Sequence, residues 1–142
     1  MGSPTGMTIV LQFEEAYTYG RAHRAEVPVT FPTGVPGPFT IMAILDTGAW
    51  TSVFSRSIAP RLGILNVTAG QRERFILPDG NSVWGYSHPT QIEFLGQPLT
   101  IPLAFCPDFP DGSPNLLGMR GFFEQLTVAL EHGSRKVYAK SA

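Results

Sequence analysis

Charge is scarce in this chain. Lysine and arginine number 10, and aspartate and glutamate 11, among 142 residues, for a formal net charge of −1. With a sequence pI near 6.3, nothing electrostatic favours nucleic acid or an anionic membrane as partner. Charged residues make up 15% of the chain and hydrophobic ones 43%. So thin a charged surface leads us to expect that part of the exterior is covered by another copy of the chain. Cysteine is nearly absent too. Cys106 stands alone, which excludes an intramolecular disulfide framework and suits a reducing, cytoplasmic setting. No apolar run approaches the roughly 18 residues that a bilayer requires, so no membrane insertion is expected. The N-terminus lacks the basic-then-apolar pattern of a signal peptide. His23, His88 and His132 lie too far apart for metal-ligand spacing, and no glycine-rich phosphate loop occurs, so neither metal nor cofactor is expected. Ser55 and Ser57 show no nucleophile-elbow pattern. Cys106, just before Pro107, reads as a buried structural thiol.

What the chain has in quantity is turn chemistry. Fifteen glycines and thirteen prolines favour short strands over long helices. Residues 1–6 read as a tag or a disordered start, and 7–142 as one domain. Strands are expected at Thr8–Phe13, at Val27–Phe31 with Pro28 at an edge or bulge, and from Phe39 onward. Glu14–Ala25 is a strand or an extended connection. A β-prone Trp50–Phe54 precedes a short helix over Ser55–Leu62, with Ser57 as its cap and Gly63 as its stop. Arg74–Leu77 and Ser82–Trp84 form a hairpin whose tip is Pro78-Asp79-Gly80-Asn81. Gln91–Leu95 and Leu99–Phe105 are joined by a turn at Gly96-Gln97. Cys106–Pro114 is a loop, Met119–Leu126 a second short helix, interrupted or capped near Gly121, and Thr127–Leu130 with Arg135–Tyr138 a last hairpin. The result is an all-β fold with barrel or sandwich-like closure and one or two short helices.

One stretch organises the rest. Ile41-Met42-Ala43-Ile44-Leu45 runs into Asp46-Thr47-Gly48-Ala49, which reads as a buried strand delivering one carboxylate to a tight turn. Gly48 suits a backbone conformation that other residues resist. A buried carboxylate is costly unless paired, hydrogen-bonded or catalytic, so Asp46 is the place to look for function. A fainter echo of the same pattern, an apolar pair followed by glycine, recurs at Leu116-Leu117-Gly118.

Ile44-Leu45-Asp46-Thr47-Gly48-Ala49 with Ser52-Val53-Phe54 resembles the active-site segment of retropepsin-like aspartic proteases. Leu116-Leu117-Gly118-Met119-Arg120 is similar to that family's second signature, some seventy positions later. The hairpin around Pro78 to Asn81 falls where the family places its flap, and the resemblance spans about residues 39–138. Two departures stand out. Trp50 follows Ala49 where the viral enzymes carry an acidic residue, and the basic residue after the second glycine, Arg120, comes one step late.

The resemblance implies a closed acid-protease barrel with a flap. It also implies an aspartic endopeptidase acting on extended peptide or protein substrates, with Asp46 catalytic. Thr47, Gly48 and Ala49 would support the active-site loop, with the Thr47 hydroxyl bonding across a two-fold axis. Leu77, Pro78, Asp79, Gly80 and Asn81 would cover the substrate, and Leu116, Leu117 and Gly118 would buttress the site. Carboxylate catalysis needs one group as base toward water and one as acid toward the carbonyl, so a dyad shares one proton. Asp79, Asp108 and Asp111 lie in predicted turns. The simplest second carboxylate is Asp46 of another copy, which makes a homodimer a requirement of the mechanism. The same fold used as a catalytically silent dimer that binds extended peptides is the alternative. Trp50, Phe54, Phe75, Ile76 and Trp84 are candidates for pocket or flap, with core packing the expected role for most.

Overall fold

The computed structural model describes residues 8, 10–13, 15–20 and 23–142. Its strands are β1 Glu15–Thr18, β2 Glu26–Phe31, β3 Phe39–Leu45, β4 Ser52–Val53, β5 Gln71–Ile76, β6 Ser82–Phe94, β7 Gln97–Phe105, β8 Leu116–Leu117, β9 Leu126–Glu131 and β10 Lys136–Ser141. Residues 1–6, read as a tag or disordered start, fall outside the described residues.

Strands β2, β3, β8, β4, β7 and β6 are neighbours in that order, and β6 returns to β2 where Thr30 faces Glu93. That last pairing closes the sheet into a barrel, which removes the open edges a flat sheet would leave. β5 hangs outside the ring, paired with β6 from Gln71↔Ser87 to Ile76↔Ser82. A separate three-stranded sheet, β1-β10-β9, lies beside it. Inward residues alternate along β2, where Val27, Val29 and Phe31 are buried. They meet Phe54, Phe94, Phe105, Leu117 and Phe122 in one core. Aromatic pairs such as Phe31 on Phe54 and Phe94 on Phe122 pack edge to face, the arrangement ring quadrupoles favour. Pro28 lies where β2 pairs with β3 alone, because the β6 contact begins at Thr30. A missing amide donor is tolerated there.

Several expectations are corrected. The described residues of Thr8–Phe13 form no strand; the first strand is β1. The helix expected at Ser55–Leu62 is a 3-10 helix over Arg56–Leu62 that begins after Ser55, not Ser57. Pro60 denies it an α-helical hydrogen-bond ladder, while Gly63, left-handed at φ 78°, ends it as expected. Residues 121–125 are turns and not a second helix, since Gly121 adopts φ 80° and breaks the helical course. The β6–β7 turn is Leu95-Gly96, one residue earlier than expected, because both take positive φ and form a two-residue hairpin loop matched to strand twist. The flap-side arm and the Gln91–Leu95 strand prove to be one thirteen-residue strand, β6.

β3 is also less buried than its apolar run suggests. Only Ala43 is fully buried, and Met42 is 40% exposed. One face of the strand packs on the core while the other looks out of this single chain. Asp46 is accordingly half-buried, not buried.

Candidate active site

The Asp46 loop is built by two segments that lie side by side. β3 and β8 run parallel, pairing Ile44 with Leu116 and Leu45 with Leu117. Asp46 then donates its N–H to Leu117 O at 2.9 Å. The sequence echo between Leu45–Gly48 and Leu116–Gly118 is thus a physical neighbourhood. Further along, Met119 donates to Ala49 O at 2.8 Å and Arg120 to Trp50 O at 2.6 Å. Both flanks of the loop are clamped by backbone.

Gly118 is where the two segments touch. A Cβ there would lie 2.8 Å from Ala49 O and 2.9 Å from the Thr51 carbonyl carbon, closer than real side chains approach. Its N–H donates to Ser52 Oγ at 2.9 Å in a buried setting. Ser52 itself sits on β4, opposite Leu103 in a parallel pairing with β7. Buried polar groups need such partners. At the turn, Asp46 Oδ1 accepts the Gly48 N–H at 2.9 Å, so one carboxylate oxygen is oriented by its own loop. Thr47 and Gly48 are exposed, Ala49 and Leu116 half-buried, and Leu117 fully buried.

Asp46 lines a cavity of about 490 Å³ together with Gly48, Ala49, Trp50 and Thr51 on one side. Across it stand Glu73 to Pro78 of the hairpin arm, with Val53, Phe109 and Leu116 completing the walls. The expected flap residues divide here. Leu77 and Pro78 face the cavity; Asp79, Gly80 and Asn81 are exposed at the tip and are not among its walls. Asp79 is occupied with its own turn, accepting from Asn81 N at 2.9 Å and Asn81 Nδ2 at 3.0 Å. Another cavity, of about 480 Å³ and lined by Arg24, Ile41, Met42 and Asn115 among others, does not include Asp46.

Of the five apolar candidates, only Phe54 is core, at 2% exposure. Trp50 and Ile76 are exposed beside the cavity, Trp84 is exposed under the Arg72 guanidinium, and Phe75 packs at the hairpin base. Cys106 is buried beneath that base with Val53 and Ala104. Burial, with Glu73 and Asp108 nearby, pushes its thiol up to about 12. The remaining aspartates stay outside the cavity: Asp111 pairs with Arg56 at 3.1 Å, and Asp108 lies in the loop after Cys106. Two of the three histidines make structural contacts, and His23 is exposed. His88 Nε2 bonds Val67 O at 2.8 Å, and His132 bonds the Tyr19 hydroxyl.

Glu73, and its pairing with Arg120, escaped the sequence reading, which names Arg120 only for its place after Gly118. Glu73 Oε1 accepts from the Thr51 hydroxyl at 2.6 Å, and Glu73 Oε2 from Arg120 Nη2 at 3.1 Å. Arg120 Nη2 also reaches Thr51 Oγ1 at 3.3 Å. Alternation along Arg72-Glu73-Arg74 was the available signal, since it puts Glu73 on the opposite face from two arginines.

Comparison with family models and with curated protein sequences finds no match. Among solved structures, the chain is similar to a retropepsin-like aspartic protease from Rickettsia conorii. The TM-score is 0.61 at 16% identity, covering 87% of this chain and 95% of that one. Barrel closure, paired signature segments and the likeness agree: the chain has the retropepsin-like, all-β aspartic-protease fold.

Proposed function

We propose that the chain is an aspartic endopeptidase that works as a homodimer with one Asp46 from each copy. The observation that carries this reading is the cavity with Asp46 on one side and the β5 arm with Leu77 and Pro78 on the other. A peptide laid there as an extended strand could add its backbone to the hairpin arm and send alternate side chains into the cavity. Among the described residues β5 pairs with β6 alone, which leaves its second edge to such a strand.

The chemistry follows from charge. A single carboxylate can act as base toward a water but cannot also protonate the carbonyl oxygen in the same step. Two facing carboxylates cannot both ionise readily, so one keeps a proton and the roles divide. Within the chain, the other carboxylate at the cavity is Glu73, whose two oxygens are held by Thr51 and Arg120. With both oxygens already engaged as acceptors, it is poorly placed to hand a proton to a substrate carbonyl. The second catalytic carboxylate is therefore assigned to a symmetry mate. Thr47, exposed on the same turn, is assigned to bond across that axis, and the tip Asp79-Gly80-Asn81 to close over the substrate with Leu77 and Pro78.

Peptide-library cleavage by wild type and Asp46→Asn between about pH 4 and 7 tests the reading, in the range where carboxylate dyads operate. Cleavage lost in the variant is expected. Cleavage that survives removes Asp46 from the mechanism, and a dimer that binds peptides without cleaving them identifies a silent module.

A further inference from the structure

The β5 arm lies outside the closed ring and, among the described residues, pairs on one side, with β6. Arg74 Nε bonds Ser82 Oγ at 2.9 Å, and Arg72 stacks on Trp84, but both contacts stay within the hairpin. Beyond the β5–β6 ladder, two sets of side-chain contacts tie the arm to the barrel among the described residues. Phe75 packs against the cluster of Val53, Ala104 and Cys106, and Glu73 bonds Thr51 and Arg120. Among the described residues, no other side-chain hydrogen bond joins β5 to the rest of the molecule.

Both partners of Glu73 belong to the rigid floor of the site. Thr51 is 1% exposed and forms a parallel bridge with Arg120, whose N–H is fixed on Trp50 O at 2.6 Å. The Thr51 hydroxyl takes both roles in the triangle, donating to Glu73 and accepting from Arg120. The Arg120–Glu73 pair is about one quarter exposed, at 28% and 24% for the two side chains. The carboxylate spans from the hairpin arm to the segment after the Asp46 loop on one side and to the segment after Gly118 on the other.

We infer that Glu73 is a positioning residue that fastens the hairpin arm across the Asp46 cavity and so governs how readily an extended peptide enters. The inference deepens the endopeptidase reading and rests on it for the role in substrate entry. Glu73 touches no reacting atom in this scheme; it acts through the position of β5. Losing it leaves the ladder to β6 and the packing of Phe75 to hold the arm. The arm then samples open positions, and the affinity for a substrate needing the closed form drops by the closed fraction.

Two measurements on the full chain test this. The first is amide hydrogen exchange without peptide, comparing wild type with Glu73→Ala and Glu73→Gln. In Glu73→Ala, amides of residues 74–83 should exchange about tenfold faster while those of β7 keep their protection, the signature of local opening. Glu73→Gln keeps a neutral acceptor for one partner and should fall between. The second is steady-state cleavage, where Glu73→Ala should raise KM about fivefold and change kcat less than about twofold, as lost uniform binding does. Unchanged exchange over residues 74–83 overturns the proposal. Equal acceleration in β7 overturns it too, by making Glu73 a general stability residue. So does a fall in kcat at unchanged KM. Exchange is read without substrate, so it judges the fastening even if wild type proves inactive, an outcome that sinks the endopeptidase reading by itself.

Discussion

Gly118 donates its backbone N–H to the Ser52 hydroxyl at 2.9 Å, buried, where a methyl group on Gly118 would collide with Ala49 O. Two short strands that are remote in sequence are thereby locked at the base of the Asp46 turn. The contact explains why a glycine and a small hydroxyl residue occur at these two places.

That lock gives a stability prediction. Gly118→Ala should destabilise the fold by about 1–3 kcal/mol through overpacking against backbone that cannot move aside. Ser52→Ala should cost a similar amount, about 1–3 kcal/mol, because it leaves a buried N–H without an acceptor. Urea unfolding of each variant measures both; an unchanged midpoint for either removes the contact's importance.

Asp46→Asn should abolish peptide cleavage, by a factor of about 10³ or more, since the amide can neither take nor give the catalytic proton. Folding should be little affected. The asparagine oxygen can still accept the Gly48 N–H that Asp46 Oδ1 accepts now. A thermal melt beside the kinetic assay separates lost chemistry from lost structure.

A shared dyad predicts interference between copies. Wild type equilibrated with an equal amount of Asp46→Asn should retain about a quarter of the activity of an all-wild-type sample at the same total concentration, because mixed dimers carry one usable carboxylate. Retention of half would mean each chain works alone. Thr47→Val should shift the dimer midpoint to higher protein concentration in sedimentation equilibrium.

Cys106 gives a pH prediction whose sign is fixed. Its thiol ionises at about 12 in the fold against 9.0 ordinarily. Between those values the unfolded chain has released a proton that the folded one keeps, so stability falls as pH rises from about 9 toward 12. Below about 9 both states are protonated and the group adds no slope. Cys106→Ala should flatten this part of the stability–pH curve relative to wild type in denaturant titrations. Alkylation of the native thiol at pH 8 should be slow, accelerating on unfolding.

The all-β class, the β3 strand with its terminal carboxylate and the hairpin at Pro78–Asn81 were legible because each rests on local pattern. Phe39 begins β3 as expected, and the hairpin pairs Arg74 with Trp84. The helix at Met119–Leu126 does not form because Gly121, expected only to interrupt or cap it, takes a left-handed backbone that turns the whole segment. The burial of β3 was misjudged for a different reason. An apolar run cannot tell a strand buried on both faces from one with an outward face, and Met42 lies on the outward face. Glu73 and Arg120 were invisible as a pair because residues 47 positions apart in the chain meet only through the fold, a tertiary relation without a local signature.

The parallel pairing of Ile44 with Leu116 joins residues about half the chain apart in sequence. A contact of that span forms slowly, because the intervening loop must close before it is rewarded. During synthesis the Asp46 turn has no floor until the segment from Leu116 to Arg120 has emerged. Whatever chemistry the turn performs is therefore delayed until that later segment has been made, a timing written into strand order alone.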